Sequence, residues 1–427
     1  MPRDASLPPA STASTATRRH DLDWVRVCAF GLLVLYHVGM YYVSWDWHVK
    51  SPHAGPLLEP AMLLTGPWRL SLLFLVSGVA TAFLLAQAQR QAAAGDGRVR
   101  FLGNRSWRLL LPLLFGMAVV VPPQSYYEVV EQLPGGYHDG FLAFWARYLR
   151  ADGSFCDAGG CLILPTWNHL WFVAYLWVYT VALWLLWRLA RPLLDRAGGA
   201  LERALCGWGL LLWPALALAL ARLLLIGRYG STHALVGDWY NHVQYFGVFL
   251  LGFLAARRDG FWDAAVRLRW PALLLWLGSW AVLAGYTVSY AGSEPPQALR
   301  LAMRAVWGVD QWCAIIAVLG FARRLSPGDG PLLRYLVPAV FPVYILHQTV
   351  TVVAAHNLQP LDLHPALEGP LLVLLTFATC FAAYEVVRRV PLLRPLFGLQ
   401  YRERSAPAAA QAGTACSTTS CTAEPPR

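Results

Sequence analysis

The sequence predicts an all-α polytopic transmembrane helical bundle of about ten helices. Three observations carry this. Of the 427 residues, 57% are hydrophobic and only 14% charged, where soluble domains carry about 25% charged residues, and the mean hydropathy is +0.44. Apolar runs of the length that a hydrocarbon core of about 30 Å demands, about 20 residues, recur along the chain. The basic residues collect in alternate gaps between those runs.

The runs are 24–44, 67–87, 107–127, 169–190, 207–226, 239–256, 270–290, 301–321, 333–354 and 367–387. The first is too long for a signal-peptide core, and no small-residue cleavage site follows, so it is read as a retained helix. Pro122-Pro123 is read as breaking the third near its end, and the sixth is polar at its start. Trp and Tyr gather at the ends of the runs, at Tyr41-Tyr42, Trp45, Trp47, Trp107, Trp239-Tyr240 and Tyr290, as interfacial anchors do. The longest loop on the far side from the arginines, 128–168, contains a surface helix around 140–150. Residues 1–20 are read as a disordered N-tail, 21–390 as one transmembrane domain, and 391–427 as a mostly disordered C-tail, because both tails have little to bury.

A net charge of +10 would suggest nucleic acid in a soluble protein. Here no basic run is interleaved with exposed aromatics, so no nucleic-acid partner is expected, and the charge is a topology signal. Set with the N-terminus in the cytoplasm, the gaps on that side outnumber the opposite gaps in basic residues by about three to one. Both termini are then cytoplasmic and the number of crossings is even. The eight cysteines form no CxxC or zinc-like cluster, and no metal site is expected. Cys156 and Cys161 share the long outer loop, where an oxidising compartment would let them form a disulfide.

Ionisable groups within a span are costly and carry a functional hypothesis. Arg26 and His37 lie eleven residues apart in the first run, three helical turns plus about 20°, and so share a face about 16 Å apart along the axis. An arginine that snorkels and a histidine that bonds a neighbouring helix would show the same spacing. Arg105 and Arg108 lie three apart at one end of the third run, where two guanidiniums can clamp a phosphate or merely mark topology. Ser77-Gly78 in the second run offers close approach to another helix or a ligand. His169 and Trp171 open the fourth run, with His169 at its outer boundary. Tyr344 and His347 lie within the ninth. Asp310 is expected to pair with Arg304 or to line an access path, and Glu385 with Arg388.

Taken together, Arg26-x10-His37, Arg105-x-x-Arg108, Ser77-Gly78 and the His347 segment resemble the acyltransferase 3 superfamily of bacterial inner-membrane proteins. Within it, the likeness runs to the branch that succinylates osmoregulated periplasmic glucans. It is carried by Trp45-Asp46-Trp47-His48-Val49-Lys50-Ser51, by His169-Leu170-Trp171-Phe172, and by Tyr384-Glu385 through Arg389-Val390-Pro391-Leu392-Leu393. The resemblance covers nearly the whole chain except both tails. It implies an O-acyltransferase that moves an acetyl or succinyl group from acyl-coenzyme A, a co-substrate rather than a resident cofactor, to a hydroxyl of a periplasmic glucan or another cell-envelope glycan. Arg26, Arg105 and Arg108 would hold the coenzyme A phosphates. His37 would act as base, directly or through a transient acyl-histidine, with His347 beside it in the chemistry, and Ser77, His169, Trp171 and Tyr344 would position substrate. The alternative is a multi-helix transporter or flippase for a glycan or glycolipid. Such proteins often carry paired repeats with broken helices, and no such pair is legible here.

The topology is testable with fusion reporters. Those placed after Arg90, Arg191, Arg258 and Arg324 are expected to read cytoplasmic, and those after His53, Gly153, Ser231 and Gly292 periplasmic. Two sites on the wrong side would overturn the arrangement.

Overall fold

A membrane interior offers no water to a bare N–H or C=O, so a crossing chain must satisfy its backbone internally. A computed structural model of the protein describes residues 18–93, 101–157 and 160–400, and its architecture is accordingly helical almost throughout. In chain order the elements are α1 (His20–Tyr42), α2 (Glu59–Leu63), α3 (Arg69–Ala93), α4 (Phe101–Phe115), α5 (Pro122–Gln132), α6 (Phe141–Leu149), a two-residue hairpin of β1 (Cys156–Asp157) and β2 (Gly160–Cys161), α7 (Trp171–Ala204), α8 (Gly209–Tyr229), α9 (Trp239–Ala255), α10 (Asp259–Ser289), α11 (Gln297–Leu325), α12 (Pro331–Leu358), α13 (Pro365–Arg389) and α14 (Leu393–Leu396). Among the described residues, nine helical runs are long and apolar enough to cross a membrane. The expected tenth is α9, which is shorter at 17 residues and carries the buried polar residues Asn241 and Gln244.

That short helix is held by unusually close packing. Gly78 of α3 and Gly252 of α9 face each other's helix so closely that a Cβ on Gly78 would collide with the Phe249 carbonyl, and one on Gly252 with the Leu75 carbonyl. The Ser77-Gly78 pair is therefore a helix crossing point, where small residues let backbones approach and gain dispersion contact that lipid cannot supply.

The third run does not stop at Pro122-Pro123. The prolines occupy the first turn of α5, where a missing N–H costs nothing. The break lies before them, in a π-helical segment, Gly116–Val120, that joins α4 to α5. Side chains from two other elements occupy its carbonyls. Tyr148 of α6 donates to Met117 O at 3.0 Å, Trp145 to Ala118 O at 2.7 Å, and Thr349 of α12 to Val120 O at 2.7 Å. The loop helix α6 is thus anchored on the widened turn. Above it a small core of Val129, Phe144, Tyr148, Phe155 and Leu164 forms, and a Cys156–Cys161 disulfide closes the hairpin.

Two further boundaries differ from expectation. Helix α7 runs on past residue 190 with a kink at Ala190, two residues before Pro192, whose ring obstructs regular helix behind it. The packed body also extends to residue 400 rather than ending at 390, because Phe397 lies against Phe115 with ring centroids 5.4 Å apart. The tails read as disordered fall largely on 1–17 and 401–427, outside the described residues.

If the α3–α9 contact is as tight as the geometry requires, Gly78→Ala should destabilise the purified protein by about 1–3 kcal/mol through overpacking, while Ser77→Ala should melt with the wild type. Thermal melts in matched detergent check this, and a wild-type melting temperature for Gly78→Ala would contradict the packing account.

Candidate active site

Helix α1 starts at the arginine-rich end of the bundle and carries His37 to within two turns of the far end. There it meets α12. His37 Nδ1 lies 2.7 Å from His347 Nε2, and the two imidazoles stack nearly parallel, 4.9 Å between centroids. His347 is fully buried, and its Nδ1 is 2.7 Å from the Tyr344 carbonyl oxygen. These contacts fix the protons. A carbonyl only accepts, so His347 Nδ1 carries a hydrogen and its Nε2 is a lone-pair acceptor. His37 Nδ1 must then donate to it, which leaves the lone pair of His37 on Nε2. No hydrogen bond among the described residues occupies that nitrogen. An oriented imidazole with a vacant basic nitrogen is the arrangement a general base requires.

His169 is not interfacial, as its place at the mouth of the fourth run suggested. A 3-10 turn, Asn168–Leu170, folds it inward, where it is 6% exposed. Its Nε2 donates to the Ile345 carbonyl at 3.1 Å and its Nδ1 faces Gln124 Nε2 at 3.4 Å. Its backbone carbonyl accepts from the Tyr344 hydroxyl. With both ring nitrogens engaged, His169 braces the stretch of α12 that presents His347, and Tyr344 locks the brace from the other side. Trp171 points elsewhere. It stacks on His233 at 4.0 Å and lies against Phe74 and Tyr245. Burial pulls the His233 imidazole down to about 4, with Asp238 opposing, so this is a neutral aromatic stack. Ser77 makes no hydrogen bond to any of these histidines among the described residues.

A second layer of polar groups went unrecognised in the sequence. His48, in the loop after α1, donates from Nδ1 to Glu128 Oε2 at 2.6 Å, and its Nε2 accepts from Gln348 Nε2 at 2.9 Å. Gln348 also donates to Gln124 Oε1 at 3.0 Å, as does Asn168 at 3.0 Å. Gln124 in turn donates to Thr349 Oγ1 at 2.6 Å. The loop after α1, α5, the turn before α7 and α12 thereby share one buried network next to His37.

At the opposite end, Arg26 meets Asp23 at 3.4 Å, and that carboxylate is also held by Arg18 at 2.8 Å. The Nε atoms of both Arg26 and Arg105 are buried without a hydrogen-bond partner. Arg105 lies within electrostatic reach of both Arg108 and Arg26, and neither Arg105 nor Arg108 has a carboxylate partner among the described residues. Ser106, between them, accepts from Trp177 at 2.9 Å, which pins α4 to α7. Three mutually repelling guanidiniums, of which only Arg26 meets a carboxylate and shares it with Arg18, suit a polyanion. Elsewhere, Glu385 pairs with Arg388 at 2.9 Å as expected. Asp310 does not pair with Arg304. It is buried in α11 beside Ser279 at 3.4 Å, with its other oxygen unpartnered, and Arg304 lies beside Gly227.

Gln124 is the hub of the far network. Gln124→Leu should strand donors on Asn168 and Gln348 and lower stability by about 1–3 kcal/mol per stranded group, seen as an earlier thermal melt. A melt at or above the wild-type temperature would show that the network contributes nothing to folding.

No curated protein and no solved structure matches the chain. A family model described as an acyltransferase domain, that of the acyltransferase 3 family, matches residues 19–385, a stretch that runs from the start of α1 almost to the end of α13 and takes in both arginine groups and both histidines. The chain therefore belongs to the acyltransferase 3 family, as a multi-pass membrane member.

Proposed function

We propose that the protein is an O-acyltransferase of the bacterial inner membrane, with both termini cytoplasmic, that takes an acetyl or succinyl group from cytoplasmic acyl-coenzyme A and places it on a hydroxyl of an extracytoplasmic glycan. The observation that carries this reading is the vacant Nε2 of His37, oriented by His347 and set on the same helix as Arg26.

Arg26, Arg105 and Arg108 hold the coenzyme A phosphates at the cytoplasmic end, and the pantetheine arm lies along the face of α1 between Arg26 and His37, a rise of about 16 Å. The acceptor hydroxyl gives its proton to His37 Nε2 as its oxygen attacks the thioester carbonyl. The imidazolium that forms is stabilised through its Nδ1–H, which donates to neutral His347, itself held by the Tyr344 carbonyl. When the intermediate collapses and the C–S bond breaks, His37 returns the proton to the thiolate. Gln348, Gln124 and His48 bond one another at the acceptor side and so hold the elements around the acceptor in a fixed polar frame. The likeness to the glucan-succinylating branch favours a periplasmic glucan as acceptor.

The test is single-turnover acylation with labelled acetyl- and succinyl-coenzyme A, using purified protein in detergent, together with mass comparison of envelope glycans from cells with and without it. His37→Ala should insert and fold normally and lose about 10²–10⁴-fold in transfer. Arg26→Ala should instead weaken donor binding, because it removes a phosphate contact rather than a proton acceptor. Transfer by His37→Ala within a few-fold of wild type would remove His37 from the mechanism.

A further inference from the structure

Arg69 begins α3 on the far side of the bundle from the arginine cluster. Its place at the outer end of the second apolar run gives no sign of burial, yet it is 5% exposed. Its guanidinium sits over the Tyr36 ring, with Cζ 3.3 Å from the centroid. That contact engages the cation through the ring's π face, but it leaves two of the three guanidinium nitrogens unserved. Nε and Nη1 are both buried with no hydrogen-bond partner, and no carboxylate pairs with Arg69 among the described residues. A buried guanidinium without an acceptor is strongly disfavoured, so such donors call for an oxygen that arrives with a ligand. Tyr36 immediately precedes His37, their ring centroids are 6.3 Å apart, and the charge of Arg69 acts on His37.

We propose that Arg69 is a further catalytic residue, the donor that stabilises the oxyanion formed when the acceptor hydroxyl attacks the thioester carbonyl. This rests on the reading of His37 as the base. The hydroxyl proton passes to His37 Nε2, the new C–O bond forms, and the carbonyl π pair moves onto oxygen, where it meets an N–H of Arg69. The pair then re-forms the carbonyl, the C–S bond breaks, and the thiolate takes the proton from His37. A donor fixed in a water-poor site acts on the charge that develops in the transition state and pays no reorganisation at that moment.

The experiment uses the full-length protein with acetyl-coenzyme A and succinyl-coenzyme A in parallel, and a linear β-glucan oligosaccharide or water as acceptor. Arg69→Gln should lower kcat by about 10²–10³-fold with both donors and change KM little, while Arg69→Lys should recover part of the loss. A second readout follows the ¹³C-labelled thioester carbonyl by isotope-edited infrared spectroscopy, in a His37→Ala background that blocks turnover. The stretch should shift to lower wavenumber on binding and lose that shift when Arg69→Gln is added, which a purely structural arginine would not produce. A loss confined to succinyl-coenzyme A would assign Arg69 to the acyl carboxylate and overturn the proposal. So would a kcat within three-fold of wild type together with an unchanged carbonyl shift, and both results would leave the acyltransferase reading standing. If the wild type transferred neither donor, that reading would fall, and the proposal with it.

Discussion

In a hydrocarbon interior every polar group must find its partner within the protein, and this requirement organises what is seen at each level. It makes the chain helical. It explains why the carbonyls of the Gly116–Val120 segment are met by Trp145, Tyr148 and Thr349. It also gives meaning to the few groups left unmet. A polar atom without a partner is ordinary on a wet surface, whereas here the vacant nitrogen of His37 and the bare donors of Arg69 lie among groups that are otherwise satisfied. Gln124, Asn168, Gln348 and His48 bond one another, and His169 gives one nitrogen to the α12 segment and the other to Gln124 of α5. Of the unmet groups among the described residues, those of Arg69 lie beside His37, while others sit apart, on Arg26 and Arg105 at the opposite end and on Asp310 in α11.

The same economy separates the bundle's two ends. The cations near Arg26 have more positive charge than the protein itself neutralises, and the histidine end has a base and a buried guanidinium. Helix α1 joins the two as a single rigid element, so the spacing between them is set by helix geometry rather than by loops. That is how a large anionic carrier could be gripped at one boundary while its reactive end is presented near the other.

Much of this was legible in the sequence, and the reasons are specific. Eleven residues on a helix return to nearly the same face, so the Arg26–His37 pairing could be read without coordinates, and the depth of His347 in its run was equally plain. His169 was misjudged because its burial comes from a 3-10 turn and a folded-in loop, neither of which leaves a periodic signal. Arg69 opens α3, and nothing in its neighbours along the chain signals that its guanidinium is buried over Tyr36. Gln124 and Gln348 are single amides in apolar stretches, and nothing in their neighbours announces that they bond each other across 224 positions. Ser77-Gly78 could be read as packing or as chemistry, and only the contact between α3 and α9 decides for packing.

The widened turn between α4 and α5 has a rotational consequence. A residue advances about 100° around an ordinary helix, so Arg105 and Gln124, nineteen positions apart in one continuous run, would be about 100° out of phase. A π turn takes up one extra residue without advancing the helix face. That leaves eighteen effective steps, five full turns, and brings the two side chains back into line. The irregularity works as a phase corrector: it returns the cationic end and the amide end of one membrane-crossing rod to the same face. A perfectly regular helix of this sequence would be better hydrogen-bonded along its own backbone and would point one end away from the work.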